Sequence, residues 1–187
     1  AGWKLFEEFK ATAIETSKAY FRAADNVVLC TGLNFPDALA AAPLARLLGA
    51  PLLLTRTDAL DQATLDELDR LGAKDIYVIG GVDVVSGNIM TQVTDAGMVG
   101  HRIYGDDRYE TSAAIAQEMA TRLSGVYSVR RAFFARGDNF PDALAVGPVA
   151  AGSLSPILLV RTGEVPGVVA TAVGELELTS GVIVGGS

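Results

Sequence analysis

Short apolar runs alternate along the chain with longer segments in which apolar residues recur at every third or fourth position. The runs at residues 27–31, 52–55 and 76–79 have the length and apolar character of strands buried in parallel sheets. Residues 60–71 carry leucines at helical spacing and end at Gly72, which is typical of an amphipathic helix with a glycine C-cap. Strands that alternate with helices of about a dozen residues indicate right-handed βαβ units on a parallel sheet.

The turn after the first strand has the chemistry of a helix start. Asn34 is suited to the N-cap, Pro36 falls in the first turn, where its missing N–H costs nothing, and the Asp37 carboxylate complements the helix dipole. The helix is therefore expected to run toward Leu48, with Pro43 kinking it or ending it early. The further predicted elements are helices over 86–96, 109–123 and 168–178 and after Pro141, and strands over 101–104, 132–135, 157–160 and 182–184.

The pattern repeats itself at a fixed offset of 137 − 32 = 105 residues. Residues 32–57 and 137–162 share 15 of 26 positions, where unrelated sequence would share roughly two. The same offset relates Gly80-Gly81 to Gly185-Gly186. Self-similarity at a fixed period is the sequence signature of a repeat architecture.

The duplication divides the chain into two tandem repeats. We expect a first domain over residues 1–100 and a second over residues 101–187, each a small three-layer α/β domain around a parallel sheet. The first has a degenerate start, because only Phe6-Glu7 is similar to Tyr109-Glu110 of the second, and the second is expected to be truncated at its carboxyl end. A single fused sheet is the alternative.

Composition narrows the function classes. Of 187 residues, 50% are hydrophobic and 20% are charged, which is typical of a folded globular chain rather than a disordered one. The formal net charge of −7 argues against a nucleic-acid partner, because phosphate binding needs clustered lysine and arginine. The uncharged stretch over 143–160 contains glycines and prolines, so we expect no membrane insertion. Cys30 is the single cysteine and leaves the redox compartment undetermined.

The candidate binding site lies where the strands end, because ligands of open α/β sheets usually sit outside the carboxyl ends of the strands. The asparagine and aspartate of the Gly-x-Asn-Phe-Pro-Asp turn are candidates for hydrogen bonds to a sugar or phosphate. The arginine after the second strand is a candidate for the charged anchor of that ligand. The alternative is a structural role. In that case the asparagine and aspartate cap a helix and tighten a turn, and the arginine lays its apolar stem on the protein surface while its charged end reaches water. The Gly-Gly turn lacks a nucleotide fingerprint and is interpreted as a tight turn. In the first and second copy the candidates are Asn34 and Asn139, Asp37 and Asp142, and Arg56 and Arg161.

Signatures of catalysis are sparse in the sequence. His101 is the single histidine, and no Gly-x-Ser-x-Gly elbow accompanies it, so a catalytic triad has no supporting pattern. One histidine and one cysteine exclude the common zinc sets. Asp83 and the pair Asp106-Asp107 are interpreted as exposed acidic turns rather than a cation site. We therefore expect no catalytic residue, no metal and no cofactor.

Four ordered motifs carry a family likeness. They are Gly-x-Asn-Phe-Pro-Asp-Ala-Leu-Ala, Pro-Leu-Leu-Leu, Val-Ile-Gly-Gly followed by Val-Ser, and Arg-Ile-x-Gly-x-Asp-Arg-Tyr-Glu-Thr. Together they resemble the cell wall binding repeat 2 family of Gram-positive surface proteins, in duplicate over roughly residues 27–187. The resemblance implies a Toprim-like fold, akin to flavodoxin-like sheets, and usually three repeats in a three-fold arrangement.

The resemblance also implies a function. Such repeats anchor a secreted, surface-layer or wall-remodelling protein non-covalently to an anionic glycan polymer, so the implied partner is a cell-wall secondary polysaccharide and the implied location is the extracellular cell surface. The family's Ile-Leu-Leu strand motif, implicated in anchoring, matches Leu52, Leu53 and Leu54 and, in the second copy, Ile157, Leu158 and Leu159. Three apolar strand residues can equally act by holding the fold.

The sequence departs from the family pattern in ways that keep alternatives open. With fewer than two full repeats, three-fold packing requires that chains associate as a homo-oligomer or pack with further repeats. The acidic net charge opposes an anionic polymer unless arginines cluster locally; the candidates are Arg56, Arg102, Arg108, Arg136 and Arg161. The alternative functions are an α/β enzyme or sensor for a phosphorylated small molecule and a self-assembling structural module.

Overall fold

The computed structural model describes residues 2–33 and 35–185, over which helices and strands alternate. The helices are α1 (Gly2–Tyr20), α2 (Phe35–Leu48), α3 (Gln62–Leu71), α4 (Gly87–Asp95), α5 (Arg108–Leu123), α6 (Phe140–Gly152) and α7 (Gly167–Glu175). The strands are β1 (Asn26–Thr31), β2 (Leu52–Thr55), β3 (Asp75–Ile79), β4 (Val99–Ile103), β5 (Arg131–Arg136), β6 (Ile157–Val160) and β7 (Ser180–Val184).

The chain divides into two compact units, each with its own parallel sheet. Unit 1 consists of Ala1–Ala38 and Leu48–Ile103, and unit 2 of Leu39–Leu47 and Tyr104–Ser187. The sheet of unit 1 has the strand order β2-β1-β3-β4, and that of unit 2 the order β6-β5-β7. Two parallel α/β sheets confirm the predicted fold class, with a flavodoxin-like order, and show that the alternative of one fused sheet is wrong. The domain limits expected from the sequence, 1–100 and 101–187, stay a prediction.

In unit 1 the inward side chains of three strands meet three helices on one sheet face. The period of two along a strand places Val27 and Leu29 of β1 on the same face as Ile76 and Val78 of β3. These side chains share one buried cluster with residues of α1, α3 and α4, among them Ile14, Leu68, Leu71, Ile89 and Val93.

In unit 2 helices pack against both faces of the sheet. One face buries Phe133, Ala135, Ile157 and Leu159 against three residues of α6, namely Ala143, Val146 and Ala150. The opposite face buries Ala132 and Leu158 against Ala116 of α5 and Val169 of α7. Helices therefore sandwich the sheet, as the predicted three-layer arrangement requires.

Local signals set several helix ends. The Asp61 carboxylate accepts a hydrogen bond from the Thr64 N–H at 3.0 Å at the start of α3, and Gly72 ends that helix at φ 66°. Asp107 caps α5 by accepting from the Tyr109 N–H at 2.8 Å. Pro43 lies inside α2, which continues to Leu48, so the helix does not end early there.

The amino-terminal helix α1 was not predicted from the sequence. It nevertheless contributes Phe6, Ile14 and Ser17 to the buried residues of unit 1.

Among the described residues, none of the helices combines the length and the apolar character that crossing a bilayer demands.

Candidate functional site

The candidate residues lie at the carboxyl ends of three neighbouring strands in each unit. In unit 1, β1 pairs in parallel with β2 through Thr31 and Thr55 and with β3 through Cys30 and Ile79, so these strands end side by side. The residues that directly follow the three strands are Gly32, Arg56 and Gly80 in unit 1, and Gly137, Arg161 and Gly185 in unit 2.

An aspartate in the first turn of a helix packs against the glycine after the third strand. Gly80 has φ +111°, and a Cβ placed there would lie 3.2 Å from Oδ2 of Asp37. Gly185 has φ +121°, and a Cβ placed there would lie 2.6 Å from Oδ2 of Asp142. The missing side chains leave room for these carboxylates, which also complement the N-terminal dipoles of α2 and α6. The same aspartate–glycine pair therefore recurs in both units.

The two aspartates differ in their exposure. Asp37 is buried, with 6% of its surface exposed, whereas Asp142 is half-buried. The carboxylate of Asp142 is therefore more accessible to a ligand than that of Asp37.

An aromatic ring packs against the glycine after the first strand in each unit. A Cβ placed on Gly32 would lie 2.5 Å from Cε2 of Phe6, and one placed on Gly137 would lie 2.8 Å from Cε1 of Tyr109. The Phe6 ring of α1 thus occupies the place that the Tyr109 ring of α5 occupies in unit 2. The first repeat has a degenerate start, but Phe6 keeps the contact with the glycine that Tyr109 makes in the second repeat.

The two anchor arginines have different partners. Nη2 of Arg56 lies 2.6 Å from Oε1 of Glu7 in α1. The guanidinium of Arg161 lies 5.0 Å from the centroid of the Tyr109 ring, within the range of a cation–π contact. Its Nη1 is 3.7 Å from Oε1 of Glu164, and its side chain is 50% exposed. Arg161 is therefore the more accessible cation.

A buried lysine extends the ion-pair network of unit 1. Nζ of Lys10, a side chain only 8% exposed, lies 2.7 Å from Oε2 of Glu7 and also contacts Asp61. Hydrogen bonds from Lys10 and Arg56 lower the pKa of Glu7. Burial opposes the ionisation of Asp61, but hydrogen bonds from Lys10 and Thr64 outweigh it and lower the pKa of that carboxyl. Two carboxylates thus neutralise two cations beside the end of β2, a network that the sequence analysis did not identify.

Three of the five candidate arginines surround one loop of unit 2. Nη1 of Arg108 donates to the carbonyl of Gly137 at 2.6 Å, and Arg161 lies over the Tyr109 ring that packs on the same glycine. Arg136 donates to both carboxylate oxygens of Asp138 at 3.0 Å. The hydrogen bond from Arg136 is the main cause of the lowered pKa of Asp138. Three arginines therefore lie around this loop, with Arg136 paired to Asp138 and Arg161 near Glu164.

The remaining candidate arginine of unit 1 has a different position. Arg102 donates from Nη1 to the carbonyls of Gly80 and Val85 at 2.7 and 2.8 Å, and from Nη2 to that of Ser86 at 3.2 Å. These contacts hold the Gly-Gly turn and the start of α4. Arg102 is therefore placed to shape the loop.

The apolar strand residues lie mostly inside the units. Leu53 is fully buried and Leu52 and Leu54 are half-buried. The corresponding Ile157, Leu158 and Leu159 are all buried, and the Leu159 N–H donates to Oγ of Ser112 at 3.0 Å. Four of these six side chains are buried within their unit, which favours the interpretation that they hold the fold.

The asparagines of the two turns complete the predicted set. Asn34 lies outside the described residues. Asn139 is exposed at the N-cap of α6, and within the described part of the chain its side chain makes no capping hydrogen bond. Its amide is thus accessible to a ligand rather than engaged as a helix cap.

The single histidine is paired with an aspartate, and the single cysteine is buried. Nε2 of His101 lies 2.7 Å from Oδ1 of Asp75, and its ring stacks on Tyr77 with centroids 4.8 Å apart. Cys30 is buried, and burial, with the nearby charge of Asp37, raises the pKa of its thiol well above the ordinary value. Over residues 2–33 and 35–185, no group of three or more histidine, cysteine or acidic side chains is arranged to hold a metal ion.

Comparison with known proteins identifies the family of the two units. The sequence matches Cell wall binding domain 2 (CWB2) over residues 9–90 and again over residues 102–187. The chain belongs to the CWB2 family. This confirms the resemblance carried by the motifs, with one match in each of the two repeats.

Relatives of this CWB2 chain include two proteins of Bacillus subtilis (strain 168). It is 32% identical over 176 residues to N-acetylmuramoyl-L-alanine amidase LytC of Bacillus subtilis (strain 168), covering 94% of the chain and 34% of that protein. It is 34% identical over 155 residues to the Amidase enhancer of the same organism, covering 83% of the chain and 21% of that protein. The chain thus spans about a third or less of these relatives.

Two solved structures have the same fold. Cwp6 from Clostridium difficile superposes with a TM-score of 0.86 at 30% identity, over 93% of this chain and 27% of that one. Cwp8 from Clostridium difficile superposes with a TM-score of 0.81 at 30% identity, over 95% of this chain and 29% of that one. Both CWB2 units of the present chain are included in these superpositions, since they cover nearly all of it.

Proposed function

We propose that this chain is a non-catalytic module that anchors a secreted or surface protein, non-covalently, to an anionic glycan polymer of the cell wall. The observation that carries the proposal is the recurrence of one arrangement in both CWB2 units. In each unit an aspartate–glycine pair, an aromatic ring packed on a glycine, and an arginine lie at the carboxyl ends of neighbouring parallel strands.

The residues of unit 2 suit an anionic sugar polymer. The guanidinium of Arg161, half exposed beside the Tyr109 ring, pairs with a phosphate or carboxylate of the polymer. Asn139 and Asp142 lie within the same loop and helix start and accept or donate hydrogen bonds to sugar hydroxyls. Because the formal net charge is −7, an anionic polymer must be attracted by local positive charge. Arg108 and Arg161 supply that charge beside Gly137, whereas Arg136 is paired with Asp138.

Unit 1 contributes a weaker contact of the same kind. Arg56 is held by Glu7, and Asp37 is buried against Gly80, so fewer groups are accessible. Asn34, which lies between β1 and α2 in the sequence, completes the proposed set. The apolar triplets Leu52 to Leu54 and Ile157 to Leu159 act by fixing the strand ends that present Arg56 and Arg161.

Two shallow sites on one chain suit a repetitive partner. Once one unit is bound, contact by the second becomes intramolecular, and its effective concentration raises the overall retention. A polymer of repeating anionic sugars offers many equivalent contacts, whereas a small phosphorylated metabolite offers one. The duplication therefore favours anchoring over turnover.

Sedimentation with purified cell walls tests the proposed function. Walls from a Gram-positive bacterium are divided, and the secondary polysaccharide is stripped from one portion while its peptidoglycan is retained. We expect the chain to sediment with the intact walls and to remain in the supernatant with the stripped walls, and we expect the released polymer to compete with intact walls. Equal sedimentation with both preparations would refute the glycan polymer as the ligand.

A further inference from the structure

A glutamate of α1 bridges two cations beside the end of β2 in unit 1. Oε1 of Glu7 lies 2.6 Å from Nη2 of Arg56, and Oε2 of Glu7 lies 2.7 Å from Nζ of Lys10. The two oxygens of one carboxylate therefore each bond a different cation, and the two cations come from different elements. A guanidinium and an ammonium placed in this way bind the oxygens of a carboxylate or phosphate.

The second carboxylate beside Lys10 has a structural role of its own. Asp61 contacts Nζ of Lys10, but it also caps α3, because its Oδ1 accepts from the Thr64 N–H at 3.0 Å and from Oγ1 of Thr64 at 2.9 Å. Glu7 lies beyond the first turn of α1, where no cap depends on its carboxylate. Glu7 can therefore leave the two cations without opening a helix start.

The equivalent glutamate of unit 2 has a different partner. Glu110 is the counterpart of Glu7, but its Oε2 accepts from the Asp106 N–H at 2.8 Å at the start of α5. The side chain of Arg161, which corresponds to Arg56, remains 50% exposed. The same acidic position therefore occupies the strand-end arginine in unit 1 and leaves its counterpart in unit 2 accessible.

The second cation is specific to unit 1. When Glu7 is aligned with Glu110, Lys10 corresponds to Ala113, a buried residue of α5. Nζ of Lys10 also lies 5.8 Å from the centroid of the Phe6 ring. A charge that is buried to this degree is costly unless an anion neutralises it. The exchange of alanine for lysine thus adds a cation that requires an anion beside the strand-end arginine.

We propose that Lys10 and Arg56 form an oxyanion subsite of unit 1 and that the Glu7 carboxylate is its internal occupant. The inference rests on the proposed wall-binding function, because the external ligand that displaces Glu7 is a phosphate or carboxylate group of the polymer. Since Glu7 is tethered, it competes at a high effective concentration. A single free anion displaces it poorly, whereas a polymer already bound to unit 2 presents its next anionic group intramolecularly.

The charge of Glu7 persists at neutral pH. Hydrogen bonds from Lys10 and Arg56 lower the pKa of its carboxyl, in that order of importance. The occupant is therefore an anion under the conditions in which it competes with an anionic ligand.

Titration of the whole chain with inorganic phosphate tests the subsite. Glu7→Ala removes the occupant, and Glu8→Ala is the matched control, because Glu8 is the next residue of α1, is 60% exposed and lies 4.0 Å from Nζ of Lys4. Binding is followed by the NMR resonance of the Arg56 Nε–H group, and sodium chloride keeps the ionic strength constant. We expect the dissociation constant for phosphate to be at least about tenfold lower for Glu7→Ala than for the parent, and Glu8→Ala to match the parent.

Two further variants make the result specific. Glu7→Gln removes the charge but keeps the length of the side chain, so its affinity for phosphate should rise less than that of Glu7→Ala. Glu7→Ala/Lys10→Met removes one of the two cations and should return phosphate binding to the parent level. The subsite is refuted if Glu7→Ala and Glu7→Gln bind phosphate no better than Glu8→Ala, or if the gain persists without Lys10.

Titration with acetate identifies the source of the anion. Tighter binding of phosphate than of acetate by Glu7→Ala would support a phosphate group of the polymer as the displacing ligand. Tighter binding of acetate would support a carboxylate group.

Sedimentation with intact walls separates this inference from the proposed function. We expect Glu7→Ala to be retained more strongly than the parent and Glu8→Ala. If phosphate binding tightens but retention does not, the wall polymer is not the ligand that displaces Glu7. If neither the parent nor Glu7→Ala sediments with walls, the proposed function fails, and the phosphate titration still decides whether Lys10 and Arg56 form an anion subsite.

Discussion

At the scale of single residues, two glycines determine whether the repeated site can form. Gly80 and Gly185 have φ values of +111° and +121°, which side chains rarely adopt, and each turn also lacks room for a Cβ. At Gly80 the Cβ would lie 2.6 Å from Cγ2 of Val84, and at Gly185 it would lie 2.6 Å from Oδ2 of Asp142. The turn and the carboxylate of the site are therefore compatible only with glycine.

Replacing these glycines should destabilise the unit that contains each one. We expect Gly80→Ala and Gly185→Ala to lower the free energy of unfolding by about 1–3 kcal/mol each, because the new side chain adds backbone strain and a close contact. Urea denaturation measures the effect. Gly87→Ala is the matched control, since no atom lies within 4 Å of its added Cβ and its φ is not positive. An unchanged midpoint for Gly80→Ala or Gly185→Ala would contradict the account of the turn.

At the scale of elements, most of the fold follows from periodicity. The apolar runs predicted β2 and β6 with the bounds that the structure shows, Leu52–Thr55 and Ile157–Val160. Gly72 likewise predicted where α3 ends. These signals are local, because a buried strand needs a short apolar run and a left-handed C-cap favours glycine.

Helix α1 shows where local signals are insufficient. Its buried positions include Lys10 and Ser17, with 7% and 1% of their surfaces exposed, so polar residues interrupt the apolar stripe. Lys10 is tolerated there only because Glu7 and Asp61 neutralise it, and Asp61 lies far along the chain. A sequence pattern alone does not reveal a partner contributed by another element.

The ion-pair network makes the attachment of α1 dependent on pH. The pKa values of Glu7 and Asp61 are lowered in the folded chain, so their stabilisation is present above the ordinary values of 4.5 and 3.8 and is lost as the pH falls through the lowered ones. Lys10→Met removes the shared cation and should cost about 1–3 kcal/mol at pH 7, because it leaves two carboxylates without it.

Denaturation at pH 7 and at low pH measures this effect. We expect the difference in unfolding free energy between the parent and Lys10→Met to shrink as the pH falls below the ordinary carboxyl values. Lys4→Met serves as the control, because Lys4 is 88% exposed and its nearest carboxylate oxygen is 4.0 Å away. A difference that stays constant from pH 7 to acid would show that Lys10 acts through packing alone.

At the scale of the whole molecule, the duplication allowed the candidate site to be predicted from the sequence. Ion pairs, however, make the two copies of that site differ in accessible charge. Asp37 and Asp142 were identified because the same turn occurs twice, and both contact the glycine after the third strand. The sequence could not show that Arg56 pairs with Glu7 while Arg161 lies over Tyr109, because these contacts depend on which helix residue faces each strand end. The two CWB2 units therefore share a scaffold and differ in accessible charge.

The most direct test of the central claim is wall retention of arginine variants. Arg56→Ala, Arg161→Ala and the double variant are sedimented with intact walls beside the parent. Lys74→Ala/Arg130→Ala is the control for the double variant, because it removes the same charge from residues that precede β3 and β5, at the opposite ends of the sheets. Arg130 matches Arg161 closely, since its side chain is 53% exposed and its carboxylate partner is also 3.7 Å away. We expect a larger loss for Arg161→Ala than for Arg56→Ala, the largest loss for the double variant, and parent-like retention for the control. Undiminished retention of the double variant would contradict the account, because the strand ends would then not be the surface that holds the wall.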